Sequence, residues 1–211
     1  MIQKQYLIIY TLVIFIFKFN CYSFSQKKCF EGYSPAFITA DQKDIAAALK
    51  QREQDFFKFV QDCEAPDFTA VTTDGETISL DNLKGKIIVI NFWHMQCLPC
   101  IAEIPALNKL YEEYKNENVV FLAPSRSGRE DIVKNFLPKH PFKFKIIPDC
   151  GTTDDPGSIT EKYKMFFGWP TTFVLDKKNK VRYIKHGGKT DENDDTVYIL
   201  LKQIIDELLK K

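Results

Sequence analysis

The sequence predicts an α/β domain with a mixed central sheet and helices on both of its faces. Three observations favour this fold class: strands and helices alternate along the chain, residues 87–93 form a continuous apolar strand, and an Asp-Gly turn precedes that strand. Helices that alternate with strands supply the crossover connections that parallel strands need, and a nearly continuous apolar run is typical of a strand buried on both faces. With 45% hydrophobic and 27% charged residues, the 211-residue chain can bury one such core.

The charge balance excludes one class of function. Lys and Arg number 29 and Asp and Glu number 28, which leaves a net charge of +1. Because binding to nucleic acid through charge needs a basic surplus, we expect no nucleic-acid partner. The six cysteines are more than a reducing cytosol usually explains, unless they bind metal or perform redox chemistry.

The first residues are typical of a secretory signal peptide, which we place at 1–25. Lys4 precedes an apolar run at 6–17, a length that favours a signal segment over a membrane-spanning helix. Small side chains at Ser23 and Ser25 predict cleavage after Ser25 and an exported, periplasmic or otherwise extracytoplasmic protein. Lipidation of Cys21 is the alternative, and an uncleaved signal segment would also leave the protein attached to the membrane.

Residues 26–63 are expected to form a helical extension that precedes the main domain at 64–211. From Asp41 to Cys63, apolar side chains recur at helical spacing with polar residues between them, which predicts one amphipathic helix. The helix should end before Pro66, because a proline disfavours helical geometry in the residue that precedes it.

The main domain is predicted to open with a β-hairpin. Residues 68–71 and 77–80 flank Asp74-Gly75, which can adopt the positive φ angles of a tight turn. The apolar strand at 87–93 follows. The remaining predicted elements are a helix after Cys100, a strand at 119–123, a helix at 129–137, a strand at 144–147, a helix at 158–166, a hairpin of strands at 171–175 and 181–185, and a closing helix at 196–209.

The candidate chemistry lies where the apolar strand ends and a helix begins. Cys97 and Cys100 stand in the first helical turn, where two sulfurs can meet and free backbone N–H groups stabilise a thiolate on the first cysteine. Cys97 is then the attacking thiol, and Cys100 resolves the mixed disulfide. The alternatives are an inert disulfide or half of a zinc site, but neither His94 nor Cys150 has a known zinc-ligand spacing from the pair. We expect no metal and no cofactor.

Several motifs together resemble the exported thioredoxin-like proteins of the TlpA and ResA type. The resemblance runs from about Ala65 to Leu209. The motifs are Ala-Pro-Asp-Phe at 65–68, the Asp-Gly hairpin, Leu-Lys-Gly-Lys at 83–86, Cys-Leu-Pro-Cys at 97–100, Glu-x-Pro at 103–105 and Pro-Thr-Thr-Phe at 170–173. The resemblance implies a thioredoxin-like fold and a thiol–disulfide oxidoreductase. Two departures are the more polar loop before Cys97, with Gln96, and Asn91 where thioredoxins have a buried aspartate.

The resemblance also implies where a client protein binds. In this family the proline that matches Pro170 has a cis peptide bond and lies beside the cysteine pair. We therefore expect Trp169, Pro170 and Thr171 to bind substrate. The alternative is an ordinary trans proline at the start of an edge strand.

Glu103 is the candidate proton acceptor. It follows Cys100 by three residues and so shares its helix face, and partial burial would raise its pKa into a range that suits a base. The family places a glutamate here, and Asn91 removes the other base. The alternative is a solvated helix glutamate. His94 could help to hold the thiolate, but we interpret it as a solvated loop residue.

Three cysteines remain in the exported chain, and an odd number leaves one free or bound to another molecule. They are Cys29, Cys63 and Cys150. Cys150 follows a strand predicted to run parallel to the one before Cys97, so it should lie at the same sheet edge. It could be a second redox partner, although burial as a small apolar residue is the favoured interpretation.

The expected function is reduction of disulfides in extracytoplasmic protein clients, with an upstream electron donor as the second partner. In this family the clients are often apocytochromes or copper-handling proteins. A peroxiredoxin-like peroxidase is one alternative, although His94 stands where its threonine would be. A copper carrier is another, although it would want three residues between its cysteines. A disulfide-donating oxidase uses the same chemistry in reverse.

Overall fold

The computed structural model describes residues 29–33 and 44–211. The predicted signal peptide, its cleavage site and the alternative lipidation site at Cys21 all lie outside the described residues. Within those residues, none of the helices combines the length and the apolar character needed to cross a membrane. The division of the chain at residues 63 and 64 stays a prediction.

The elements occur in the order that the sequence predicts. They are α1 (Ile45–Val60), β1 (Thr69–Val71), β2 (Thr77–Ser79), β3 (Ile87–Phe92), α2 (Leu98–Tyr114), β4 (Val119–Pro124), α3 (Arg129–Asp131), β5 (Lys145–Ile147), α4 (Ile159–Lys162), β6 (Thr171–Leu175), β7 (Val181–His186) and α5 (Thr196–Leu209). A short 3-10 helix at Asp81–Leu83 joins the hairpin to β3. The α2 helix continues through Pro105.

Five strands form the central sheet in the order β5-β4-β3-β6-β7, and β1 and β2 form a separate hairpin. β3 pairs parallel with β4, and β4 pairs parallel with β5. The pairs of β3 with β6 and of β6 with β7 are antiparallel. All six residues of the central strand β3 are buried. The predicted mixed sheet with a doubly covered central strand is confirmed.

Alternate residues of β3 contribute to two hydrophobic cores, one on each face of the sheet. Ile87 and Val89 pack with α2 and α5, whereas Ile88 and Ile90 pack with α1 and the β1–β2 hairpin. Each large apolar side chain that is buried in this way contributes about 1.5–3 kcal/mol. The two layers fix the end of β3, and the candidate site begins there.

Two predicted helices are shorter or different in the structure. The segment predicted as a helix at 129–137 has only one α-helical turn and continues as a π-helix at Ile132–Phe136. The backbone N–H of Leu137 bonds to the carbonyl of Ile132, five residues back, which gives the wider turn. The helix predicted at 158–166 ends at Lys162, because Lys164 adopts a left-handed φ of 53°.

A disulfide closes a loop within the N-terminal extension, and an aromatic cluster attaches the extension to the main domain. Cys29 bonds to Cys63 across a sequence separation of 34, with the two Cα atoms 6.0 Å apart. Beside it, the ring of Phe30 lies 5.9 Å from that of Phe56 and 5.8 Å from that of Tyr163. Asp44 is the N-cap residue of α1, and its carboxylate accepts a hydrogen bond from the backbone N–H of Ala47 at 2.9 Å.

Candidate active site

Cys97 and Cys100 form a disulfide at the N-terminus of α2, with their Cα atoms 5.2 Å apart. Cys97 is the N-cap residue of this helix, and its sulfur accepts a hydrogen bond from the backbone N–H of Cys100 at 3.2 Å. The same N–H groups would stabilise negative charge on that sulfur in the reduced protein. Cys97 is 7% exposed and Cys100 is 2% exposed. Cys97, at the helix terminus, is therefore the slightly more exposed residue of the two.

The chain folds tightly between β3 and these cysteines. Trp93 forms an isolated bridge with Ser125, and the N–H of Cys97 bonds to the carbonyl of His94 at 3.1 Å. Pro99 fits the first turn of α2 because the N–H it lacks would have no partner within the helix. Leu98 is 69% exposed. No sequence pattern indicates a role for this apolar side chain, which lies on the open surface next to Cys97.

The peptide bond between Trp169 and Pro170 is cis, as the resemblance predicts. Thr171, the next residue, pairs with Phe92 at the end of β3. The ring of Trp169 lies 5.7 Å from that of His94, edge to face. The cis-proline loop therefore lies beside the turn that leads into Cys97.

Thr171 holds the cis-proline loop in place through its side chain. Its hydroxyl donates to the carbonyl of Gly168 at 2.9 Å and lies 3.0 Å from Nδ1 of His186. The side chain is 1% exposed, so it contributes to the shape of the loop from within. The assignment of Trp169, Pro170 and Thr171 as substrate-binding residues stays a prediction.

Glu103 is buried beneath the site, at 6% exposure, so its interpretation as a solvated glutamate is wrong. Oε1 accepts a hydrogen bond from Nζ of Lys185 at 2.6 Å, and Oε2 has no partner among the described residues. Burial raises the pKa of this carboxyl, and the Lys185 ammonium opposes that rise. An added Cβ at Gly188 would lie 2.8 Å from Oε1 of Glu103 and 3.1 Å from Cγ of Pro170. The carboxyl and the cis proline are therefore neighbours.

A cavity of about 360 Å³ opens beside this carboxyl. It is lined by Glu103, Lys185, Gly188, Asp194 and Val197, among others. The cavity gives the buried carboxyl a route to solvent, along which a proton can leave. Sequence reasoning missed Lys185, because its contact with α2 spans 82 residues of sequence and no local pattern indicates it.

Asn91 and His94 do not provide the site with a second base or a cation. The Asn91 amide is buried and donates to the hydroxyl of Thr172 at 2.9 Å. His94 is half-buried against Trp169 rather than solvated. Burial lowers the pKa of His94, and the positive charge of Arg126 lowers it further. The imidazole is therefore neutral near pH 7 and brings no positive charge to Cys97.

Cys150 is the one free cysteine among the described residues. It lies just beyond β5, which belongs to the parallel part of the sheet, so its predicted place at the carboxyl edge is confirmed. The thiol is 2% exposed, and its sulfur lies 3.2 Å from the hydroxyl of Thr160. Burial raises its pKa to about 11, which disfavours the thiolate that exchange requires. This geometry favours a buried small residue over a second redox partner.

The described residues contain no group of three His, Cys, Asp or Glu side chains arranged to hold a metal ion. What the site does hold is a pair of sulfurs at a helix N-terminus, a buried carboxyl and a cis-proline loop. Such an arrangement can form a mixed disulfide at one sulfur and resolve it with the other.

Residues 62–184 match the model of the AhpC/TSA family. Thiol-disulfide oxidoreductase ResA from Bacillus thuringiensis subsp. konkukian is 36% identical over 129 residues, which cover 61% of this chain and 71% of that protein. Thioredoxin-like protein YneN from Bacillus subtilis is 34% identical over 131 residues, which cover 60% of this chain and 72% of YneN.

Solved structures show the same fold. A Chlorobium tepidum protein described as a thiol:disulfide interchange protein DsbE superposes with a TM-score of 0.57 at 25% identity, over 69% of this chain and 95% of its own. The thioredoxin domain of a thiol-disulfide oxidoreductase from Bacteroides vulgatus has a TM-score of 0.57 at 23% identity, over 69% and 97%. The thioredoxin-like fold expected from the sequence is confirmed.

Proposed function

We propose that this chain reduces disulfides in exported client proteins. The chain belongs to the AhpC/TSA family and is a ResA-type thioredoxin-like thiol–disulfide oxidoreductase, and the proposal proceeds from that. One observation carries the proposal furthest. The Cys97–Cys100 pair lies at a helix N-terminus, and the buried carboxyl of Glu103 and the cis Pro170 adjoin each other beneath the same site. These groups supply a nucleophile, a resolving thiol, a base and a surface for an extended client.

The reaction begins with the reduced protein. The Cys97 thiolate attacks one sulfur of a client disulfide, which forms a mixed disulfide and releases the other client sulfur as a thiolate. Glu103 accepts the proton of Cys100, and the Cys100 sulfur then attacks Cys97. The second client thiolate leaves, the Cys97–Cys100 disulfide forms, and both client thiolates take protons from solvent or the base. Two electrons pass from the protein to the client, so an upstream donor must return them.

Three features of the chain support the reducing direction and the exported location. Leu98 and Pro99 separate the cysteines, so no cation stands between them. The reduced thiolate therefore lacks the extra stabilisation that makes a disulfide strongly oxidising. The apolar run at 6–17 supports export, and the Cys29–Cys63 disulfide suits an oxidising compartment. The clients belong to that compartment, and an extended client segment would bind along Trp169, Pro170 and Thr171.

The reduction potential of the Cys97–Cys100 pair tests the proposal. The protein is equilibrated with glutathione or dithiothreitol buffers, and thiol alkylation followed by mass spectrometry measures the oxidised fraction of this pair. A reductase should have a potential below about −200 mV. A potential near about −120 mV, at the oxidising end of the known range, would contradict the reductase assignment.

A further inference from the structure

The α1 helix, which precedes the matched family region, contacts the chain on both sides of the cis proline. The family match begins at residue 62, whereas α1 spans Ile45–Val60. The loop between α4 and β6 contains no helix or strand, so it depends on a few isolated backbone hydrogen bonds and on side-chain contacts for its shape. Fixing each residue of such a loop costs conformational entropy. Contacts from α1 are therefore a means of holding this loop in one conformation.

Arg52 holds the part of the loop that precedes the cis proline. Its guanidinium carbon lies 4.6 Å from the ring centroid of Phe166 and 5.9 Å from that of Phe167. Nε of Arg52 is buried without a hydrogen-bond partner among the described residues, so the aromatic faces are its principal contact. The ring of Tyr33 stacks on Phe166 at 5.6 Å, and its hydroxyl donates to the backbone carbonyl of Arg52 at 3.2 Å.

Glu53 holds the part that follows the cis proline. Its Oε1 accepts a hydrogen bond from the backbone N–H of His186 at 3.3 Å. The His186 ring in turn lies against the Thr171 hydroxyl, and the next N–H, that of Gly187, donates to the carbonyl of Pro170 at 2.9 Å. Adjacent residues of one helix therefore fix the loop from both ends.

We propose that Arg52 and Glu53 are positioning residues that hold residues 166–171 in the conformation to which an extended client segment binds. The proposal rests on the proposed function, in which the client lies along Trp169–Thr171. A loop that is already ordered loses less entropy on binding, so these contacts lower the KM for a peptide client. A small disulfide, which meets only the sulfur of Cys97, gains nothing from them.

The test compares two substrates with a matched pair of double variants. The substrates are a synthetic extended peptide with an internal disulfide and hydroxyethyl disulfide, with dithiothreitol as the reductant. Arg52→Met/Glu53→Ala removes the two contacts, and Lys50→Met/Gln54→Ala makes similar changes at exposed positions of α1. For the first variant we expect the KM for the peptide to rise about threefold to tenfold, with its kcat and the rate with hydroxyethyl disulfide unchanged. The control variant should have the same KM, kcat and rates as the parent. Lysine at position 52, as Arg52→Lys, should give a lower KM for the peptide than methionine does.

Two results would overturn the proposal: an unchanged KM for the peptide, or an equal slowing with both substrates, which would indicate a general structural role. Thermal unfolding establishes the assay temperature at which each variant is folded. If the double variant does not fold, Arg52→Met and Glu53→Gln are compared singly by the same criteria. Failure of the parent protein to reduce either substrate would contradict the proposed function instead, so the two failures are distinguishable.

Discussion

The two disulfides of the described chain lie in contrasting surroundings. Cys97–Cys100 joins residues three apart at a helix N-terminus, above the buried carboxyl of Glu103. Cys29–Cys63 joins residues 34 apart and lies beside the aromatic cluster of Phe30. We refer to Cys97–Cys100 as the inner pair and to Cys29–Cys63 as the outer pair. Loop-closure entropy gives about 2 kcal/mol of stabilisation for a separation of three and about 4 kcal/mol for a separation of 34. The short disulfide can open at small cost to the fold, whereas the long one contributes substantially to it.

The surroundings of each disulfide decide its role: those of Cys97–Cys100 favour sulfur chemistry, and those of Cys29–Cys63 favour structural stabilisation. The sulfur of Cys97 accepts a backbone hydrogen bond that would also stabilise its thiolate. Cys63 is instead part of the backbone pairing, since its carbonyl accepts a hydrogen bond from the N–H of Val181 at 2.9 Å. We therefore expect loss of the first pair to abolish activity and loss of the second to reduce stability.

The largest effect is expected at Cys97. Cys97→Ser should lower the rate of disulfide reduction by about 10⁴-fold or more, because the nucleophile is lost. Cys100→Ser should trap clients as mixed disulfides on a non-reducing gel, because the resolving thiol is lost. Cys29→Ser/Cys63→Ser, assayed where it is folded, should keep most of the activity. The comparison breaks if Cys97→Ser and Cys100→Ser trap clients equally, or if the outer pair proves as necessary as Cys97.

The second prediction concerns stability. Cys29→Ser/Cys63→Ser should lower the free energy of unfolding by about 4 kcal/mol, because the unfolded chain is no longer closed into a loop. Urea unfolding of the oxidised proteins, followed by circular dichroism, measures this loss. Cys97→Ser/Cys100→Ser is the matched control and should lose about half as much. An equal loss in the two double variants would remove the structural distinction between the pairs.

The same contrast separates what the sequence could predict from what it could not. Features encoded locally were predictable, such as the apolar β3, the Asp-Gly hairpin and the two cysteines in one helical turn. The cis Pro170 was predictable through resemblance, because local sequence permits either isomer. The pairing of Cys29 with Cys63 is not predictable from the sequence, since three cysteines allow several choices and only the packing of the extension decides among them.

Long-range contacts explain most of what was missed. Lys185 and Glu103 are 82 residues apart in sequence and meet only because the fold brings the Lys185 side chain of β7 to Glu103 on α2. The sequence indicated a partly buried Glu103 but gave no sign of its partner. The early end of α4 at Lys162 is a different kind of miss: the helical pattern continues, but Lys164 adopts a left-handed conformation that redirects the chain toward the cis-proline loop. Its contacts are local, with Glu161 and Phe166.

The last and smallest effects concern the proton transfer that only the inner pair requires. Glu103→Gln should slow the resolution of the mixed disulfide by about a hundredfold, because an amide cannot accept the Cys100 proton.

Lys185→Met should keep the Glu103 carboxylate as the base but change the pH at which it titrates. Lys185 lowers the pKa of Glu103 against the rise caused by burial, so its removal raises that pKa further. Since the base acts only when ionised, the fall in rate toward acid pH should begin at a higher pH.

Stopped-flow measurement of the resolution step against pH tests the role of Lys185. The Lys185 side chain is 16% exposed, and its ammonium faces Glu103. Lys109 on α2 instead forms an exposed ion pair with Asp195. Lys109→Met is therefore the control, and its pH profile should match that of the parent. Asp194 opposes Lys185 by raising the pKa of Glu103, so Asp194→Asn should move the profile the other way, toward lower pH. A profile that stays in place in Lys185→Met, with Glu103→Gln still slow, would show that the carboxyl acts without control by the lysine. Opposite shifts in the two variants would show that the charges around this carboxyl set the pH at which the inner pair works, a constraint that the outer pair does not share.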